Sequence, residues 1–250
     1  MAEQEGDDAG GIKRISERLY ISGLQGATDQ NQLRGHQIKQ VVNLSGISTH
    51  LAAEFSCLEL ELEEDKNVTK VFDQAIAAFA REEGRTLVHC KMGVSRSAAV
   101  VLAILLHEEG YTLKAAWEHL KSQRPYSEPS TALWQQLSQL ECRCYGLELS
   151  TMSLRDYIEG DMREEFGASL DTTLWHRAFA ETLSARGAGF PEKLDFYFAY
   201  RNMLSDSDRG EEDEHCKDEE SEPCEDADEA TSGEGHCHEL ASLAKRPRLA

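Results

Sequence analysis

The sequence predicts an α/β fold in which a central, mostly parallel sheet is flanked by helices. Three observations carry that expectation. Short β-prone runs alternate with segments of helical period, the pattern of strands joined by crossover helices. Residues 97–106 are apolar on nearly every face, as in a helix buried at the middle of a layered domain. And 250 residues, 40% of them hydrophobic, suffice for one substantial core with chain left over.

The first two expected strands are Leu19-Tyr20-Ile21-Ser22 and Val41-Val42-Asn43-Leu44. A third, residues 57–63, alternates Leu58, Leu60 and Leu62 with acidic neighbours, the period of a half-buried strand, and a fourth runs from Arg85 to His89. Between these last two, Phe72, Ile76 and Phe79 recur at helical spacing and Gly84 follows as a stop, which defines a crossover helix. Two amphipathic helices follow the buried one. Leu113, Trp117 and Leu120 mark the first, after the cap Thr112 and before Pro125; Leu133, Leu137 and Leu140 mark the second.

This unit is expected to occupy residues 12–146. From 150 to 204 the pattern is helical again, through Leu154, Ile158 and Met162, then Trp175, Phe179 and Leu183, then Phe196, Tyr197, Phe198 and Tyr200. It reads as a helical extension docked on the first unit, with no assigned role. Residues 205–250 read as a disordered acidic tail, because dense charge and few aliphatics leave little area to offset ordering entropy.

Charge narrows the function. Sixteen acids and two bases lie between Ser205 and Glu239, which is −14 of the net −20. Nucleic acid is not an expected partner, since its affinity comes from phosphate neutralisation by Lys and Arg. No apolar run approaches the roughly 20 residues that span a bilayer, and the acidic, glycine-rich start does not resemble a secretory signal. Seven irregularly spaced cysteines argue for reduced thiols rather than a disulfide framework, so the expected location is cytoplasmic and the Asn67-Val68-Thr69 sequon carries no glycan. Lys245-Arg246-Pro247-Arg248 resembles a short import patch and adds the nucleus as a second expected location.

The chemistry concentrates in His89-Cys90-Lys91-Met92-Gly93-Val94-Ser95-Arg96-Ser97, between an expected strand and an expected helix. Backbone N–H groups at a helix N-terminus have no intrahelical partners, and with the preceding turn they form a nest for a tetrahedral anion. Residues 90–96 are therefore the expected phosphate-binding loop, with Gly93 at a turn position that needs positive φ or no Cβ near the ligand. The same partial charge, with Arg96, should lower the Cys90 pKa and make it a nucleophile. Arg96 can hold two phosphoryl oxygens with its fork of donors, and Ser97 can donate toward the sulfur when phosphocysteine is hydrolysed.

His-Cys, five residues, Arg-Ser resembles the signature of the cysteine-based protein phosphatases, and Gly93-Val94-Ser95-Arg96-Ser97 looks like their dual-specificity branch. Leu19-Tyr20-Ile21-Ser22-Gly23, Val41-Val42-Asn43-Leu44-Ser45, Ala116-Trp117-Glu118-His119-Leu120 and Arg124-Pro125 extend the likeness in order, from roughly residue 15 to 140. The small atypical members are the most similar. The resemblance implies a shallow pocket for phosphotyrosine, phosphoserine and phosphothreonine of a protein substrate, and no metal or other cofactor. It also implies an aspartate roughly 30 residues before the cysteine that protonates the leaving oxygen. An ungapped alignment puts Leu62 there, in phase with Leu58 and Leu60 and pointing inward; Glu61, Glu63 and Asp65 lie nearby, within a shift of a few residues. Weak rather than absent activity is expected, poorer on alkyl than on aryl phosphates.

A catalytically weak pseudophosphatase that binds phosphoproteins is the alternative, and an acidic-tail scaffold a third reading. His89 reads as a structural residue under the loop, and Asn43 as a loop brace or a turn residue. Cys57 is a candidate for a regulatory disulfide with Cys90, whereas Cys142 and Cys144 have a poor spacing for zinc and read as packing or surface thiols. His215-Cys216, Cys224 and His236-Cys237-His238 form a loose set read as solvated tail. No oligomeric state is indicated.

Overall fold

The computed structural model describes residues 11–185 and 190–215, with side chains to Ser205. Its sheet has five strands: β1 (Lys13–Arg14), β2 (Leu19–Ser22), β3 (Ile38–Asn43), β4 (Ser56–Glu59) and β5 (Arg85–His89). Their order is β1-β2-β5-β3-β4, with β1 antiparallel to β2 and every other pair parallel. Parallel neighbours require crossovers: the helices α1 (Leu24–Thr28) and α2 (Gln30–Gly35) lie between β2 and β3 and α3 (Thr69–Arg81) between β4 and β5, while residues 44–55 join β3 to β4 without a helix. The expected α/β architecture is the observed one.

Strand β5 lies at the centre, so Leu87 and Val88 are buried. On one face Tyr20, Leu33, Ile38, Val41 and Leu87 pack with α1 and α2. On the other, α3, α4 (Arg96–Glu108), α5 (Leu113–Gln123) and α6 (Thr131–Tyr145) build the larger core. Helix α4 is its axis: all of residues 97–106 are buried, as a sequence apolar on nearly every face predicts. Thr112 caps α5 through Ala115 N–H, and α6 ends at Gly146 with φ 65°.

Several expectations need correction. The third strand stops at Glu59: Leu60 N–H makes the last rung of the ladder, to the Asn43 carbonyl (2.9 Å), and residues 60–68 run as a loop. Gly84 does not cap α3. A Cβ there would lie 2.6 Å from Lys39 Cγ, so the glycine allows a close approach. The strand β1 and the short helices α1 and α2 were not expected; Asp29 starts α2 by accepting from Asn31 and Gln32 N–H groups, a signal too short to stand out.

The C-terminal chain adds α7 (Leu154–Phe166), α8 (Thr172–Ala185) and α9 (Lys193–His215). Ser153 and Asp156 form a capping box at α7. Tyr157 of α7 stacks on Trp134 of α6 at 3.8 Å between ring centroids, and Trp117 of α5 meets both edge-on. Ile158, Met162, Trp175, Phe196 and Tyr200 are buried in continuity with the main core. The tail boundary expected at 205 falls inside α9, and the compact unit closes at Asp208. Of the remaining unit, Arg209–Ala250, the helical backbone to His215 is described. The tail residues Cys216, Cys224 and 236–238, and the basic patch 245–248, lie outside the described residues.

Candidate active site

The segment 90–97 lies where parallel β5 ends and α4 begins, the edge at which open α/β sheets present ligand sites. Cys90 is buried, with 3% of its surface exposed. Gly93 N–H donates to its sulfur at 3.1 Å, and the Ser97 hydroxyl lies 3.2 Å away. Burial alone would raise the thiol pKa, but hydrogen bonds from the Ser97 hydroxyl and from Ser97, Gly93 and Val94 N–H groups outweigh it and hold the pKa below its ordinary value. Such a ring of donors can stabilise a thiolate at the floor and oxyanion charge above it.

Gly93 has φ +74°, and a Cβ on it would fall 2.6 Å from Arg124 Nη2 and 2.7 Å from Gly23 N and Ser22 C. No other residue type fits without moving the loop. Arg124, itself buried, donates through Nε to the Gly93 carbonyl (3.1 Å) and through Nη1 to the Gly11 carbonyl (3.4 Å). Leu24 N–H holds the Lys91 carbonyl and Glu128 N–H the Val94 carbonyl, at 3.1 and 2.9 Å. The loop is thus tied on three sides, while Lys91 and Met92 project to solvent.

Arg96 opens α4 and donates through Nη1 to the Leu44 carbonyl at 2.9 Å. Asn43 sets that carbonyl indirectly: its side chain accepts from the Ser45 N–H and hydroxyl and donates to the Ile47 carbonyl at 2.8 Å. Of the two sequence readings for Asn43 the turn is the observed one, with no direct bond to the cysteine loop among those described. His89 is buried and its pKa is pulled down to about 4, chiefly by burial. It is neutral at pH 7, with Nδ1 at 3.3 Å from the Cys90 carbonyl, which fits a structural residue.

The chain approaching from β4 carries the carboxylates. Leu62 is buried, as its phase with Leu58 and Leu60 predicts. Glu61, Glu63 and Asp65 are exposed, and Glu63 pairs with Lys66 at 2.7 Å; none is bonded to the cysteine loop among the described contacts. Glu64, absent from the sequence expectations, is the one turned inward: its Oε2 accepts from the Ser95 hydroxyl at 3.0 Å and its Oε1 lies 3.9 Å from Arg96 Nε. Nothing in the sequence separates it from its acidic neighbours, since a loop has no period. Arg124 was also missed as a site residue; the Arg-Pro dipeptide that ends α5 was its only trace.

Cys57 cannot reach Cys90. Val41 pairs with both Cys57 and Leu87, which sets Cys57 two strand spacings, about 9–10 Å, from β5, beyond the ~7 Å Cα limit for a disulfide. Cys57, Cys90, Cys142 and Cys144 are all free thiols. Among the described residues no group of three or more His, Cys, Asp or Glu side chains is arranged to hold a metal ion, and no helix is long and apolar enough to cross a membrane.

Comparison with known proteins bears on this geometry. Dual specificity protein phosphatase 18 of Pongo abelii is 33% identical over 142 residues, covering 54% of this chain and 76% of the relative. Dual specificity protein phosphatase 1 of Arabidopsis thaliana is 29% identical over 133 residues, covering 51% and 67%. The crystal structure of a variant of human DUSP28 superposes with a TM-score of 0.50 at 30% identity, covering 52% of this chain and 94% of that one. Helices α7 to α9 follow the matched region. Residues 19–143 match the dual specificity phosphatase catalytic domain, and with its fold and cysteine loop the chain belongs to that family of protein phosphatases, in its atypical branch.

Proposed function

We propose that the chain dephosphorylates protein phosphotyrosine, phosphoserine and phosphothreonine through a phosphocysteine intermediate on Cys90. The observation that carries this is the sulfur itself: buried, with a lowered pKa, and met by the Gly93 N–H and the Ser97 hydroxyl at 3.1 and 3.2 Å. Thiolate attack on phosphorus passes negative charge to three equatorial oxygens, which the N–H groups of residues 91–96 and the Arg96 guanidinium receive. Water then attacks phosphorus, the P–S bond breaks, and the Ser97 hydroxyl stabilises the departing thiolate. Residues 90–96 bind phosphate, and Cys90, Arg96 and Ser97 carry the reaction. No step calls for a metal.

The test is hydrolysis of an aryl phosphate by the wild type and by Cys90→Ser, with acid quench to trap the phosphoenzyme. Loss of turnover and of labelled intermediate in the variant is expected; equal rates would end the proposal. A second reading, a weak pseudophosphatase that retains phosphoproteins, is favoured by one observation, the buried Leu62 where the family's aspartate belongs. Phosphopeptide binding without turnover over hours would select it.

A further inference from the structure

We propose that Glu64 is the proton donor to the leaving group, taking over from the position held by Leu62. This deepens the phosphatase reading above and rests on it. The chain that carries Glu64 is fixed at both ends. Before it, Leu62 is buried in the main core. After it, the Gln136 amide of α6 donates to the Lys66 carbonyl at 2.9 Å and accepts from Val68 N–H at 2.7 Å. Between these anchors the carboxylate is turned to Ser95 of the cysteine loop, whose hydroxyl donates to Oε2 at 3.0 Å. Ser95 is itself positioned by Ser130 N–H, which donates to Oγ at 3.1 Å. The side chain is 34% exposed, so it is at once held and open to an arriving substrate.

The chemistry follows from the 3.9 Å between Glu64 Oε1 and Arg96 Nε. A phosphoryl group received by Arg96 lies beside this carboxyl group, where the departing ester oxygen can take a proton from it. On thiolate attack the S–P bond forms and the ester P–O bond breaks, and the Glu64 proton goes to the departing oxygen, releasing the alcohol or phenol. In the second half the Glu64 carboxylate takes a proton from the attacking water as the P–S bond breaks, which restores the carboxylic acid, free phosphate and the Cys90 thiolate. Glu61, Glu63 and Asp65 are exposed, and none is bonded to the cysteine loop among the described contacts.

The experiment compares wild type, Glu64→Gln, Glu64→Asp, Glu63→Gln and Cys90→Ser in the full chain, on an activated aryl phosphate and on a phosphoserine peptide, over pH 5–9. Glu64→Gln should lower kcat on the phosphoserine peptide about 10²–10⁴-fold, lower it far less on the activated aryl ester, and abolish the basic limb of the kcat profile. Glu64→Asp should keep that limb with a smaller loss, and Glu63→Gln should match wild type. Protection of Cys90 from iodoacetate by vanadate reports that each variant keeps its loop. A basic limb retained in Glu64→Gln, or equal losses on both esters, overturns the proposal while leaving the phosphatase reading intact. Wild-type turnover no faster than Cys90→Ser removes both.

Discussion

Replacing Gly93 by alanine should damage stability and chemistry together, and the size of the damage can be worked from the geometry. At φ +74° an L-residue costs about 1–2 kcal/mol relative to glycine. The added methyl would stand 2.7 Å from both Gly23 N and Ser22 C, main-chain atoms at the end of buried β2 that cannot swing aside, and 2.6 Å from Arg124 Nη2. Overpacking of that kind costs about 1–3 kcal/mol more. A total near 3 kcal/mol, at about 2–4 °C per kcal/mol for a unit of this size, lowers the melting temperature by about 6–12 °C. Moving the loop also withdraws Gly93 N–H from the sulfur, so half-maximal alkylation of Cys90 should shift to higher pH. Calorimetry and a pH series of iodoacetamide inactivation measure the two effects. A melting temperature within 2 °C of wild type, together with an unshifted inactivation profile, would refute the reasoning that the left-handed, crowded glycine holds the thiolate.

Other perturbations separate the remaining parts. Ser97→Ala removes a hydroxyl 3.2 Å from the sulfur, so alkylation should need higher pH and a product burst should precede a slower steady state in stopped flow. The pKa of His89 falls from 6.5 to about 4 on folding, so the unfolded chain binds more protons between those values. Stability should therefore decline as pH drops through that window, by about 3 kcal/mol in all, and His89→Asn should flatten the slope in denaturant titrations. Glu141 is buried in α6, and burial would raise its pKa, but bonds from Ser150, Thr151 and Leu113 at 2.6–2.8 Å hold it below the ordinary 4.5. Its contribution is present above about pH 4.5 and is lost as pH falls through the folded value. Glu141→Gln should destabilise by about 1–3 kcal/mol at pH 7, because buried donors lose part of their acceptor, and should remove that acid loss.

Sequence alone determined the parts of this protein whose physics is local or periodic. The alternation of β-prone and helical runs announced a layered α/β fold, and the unbroken apolar stretch 98–106 announced its central helix. Strand, glycine-containing turn and helix around Cys90 announced an anion nest, because the orphan N–H groups of a helix start exist wherever such a helix starts. Leu62 is buried, in agreement with the alternation of residues 57–63, although the strand itself ends at Glu59.

Tertiary structure decided what depends on neighbours remote in sequence. In a loop, where no period assigns faces, the three consecutive carboxylates Glu63, Glu64 and Asp65 are equivalent on paper, and only Gln136 from α6 and Ser95 from the cysteine loop make Glu64 the one that turns inward. Arg124 became a support of Gly93 because α5 ends over the loop, 31 residues away along the chain. The distance that forbids a Cys57 to Cys90 bridge comes from strand order, which alternation does not encode. Contacts of this kind are closed by the whole core at once, so local propensity identifies the nest, while long-range packing determines which carboxylate and which guanidinium stand over it.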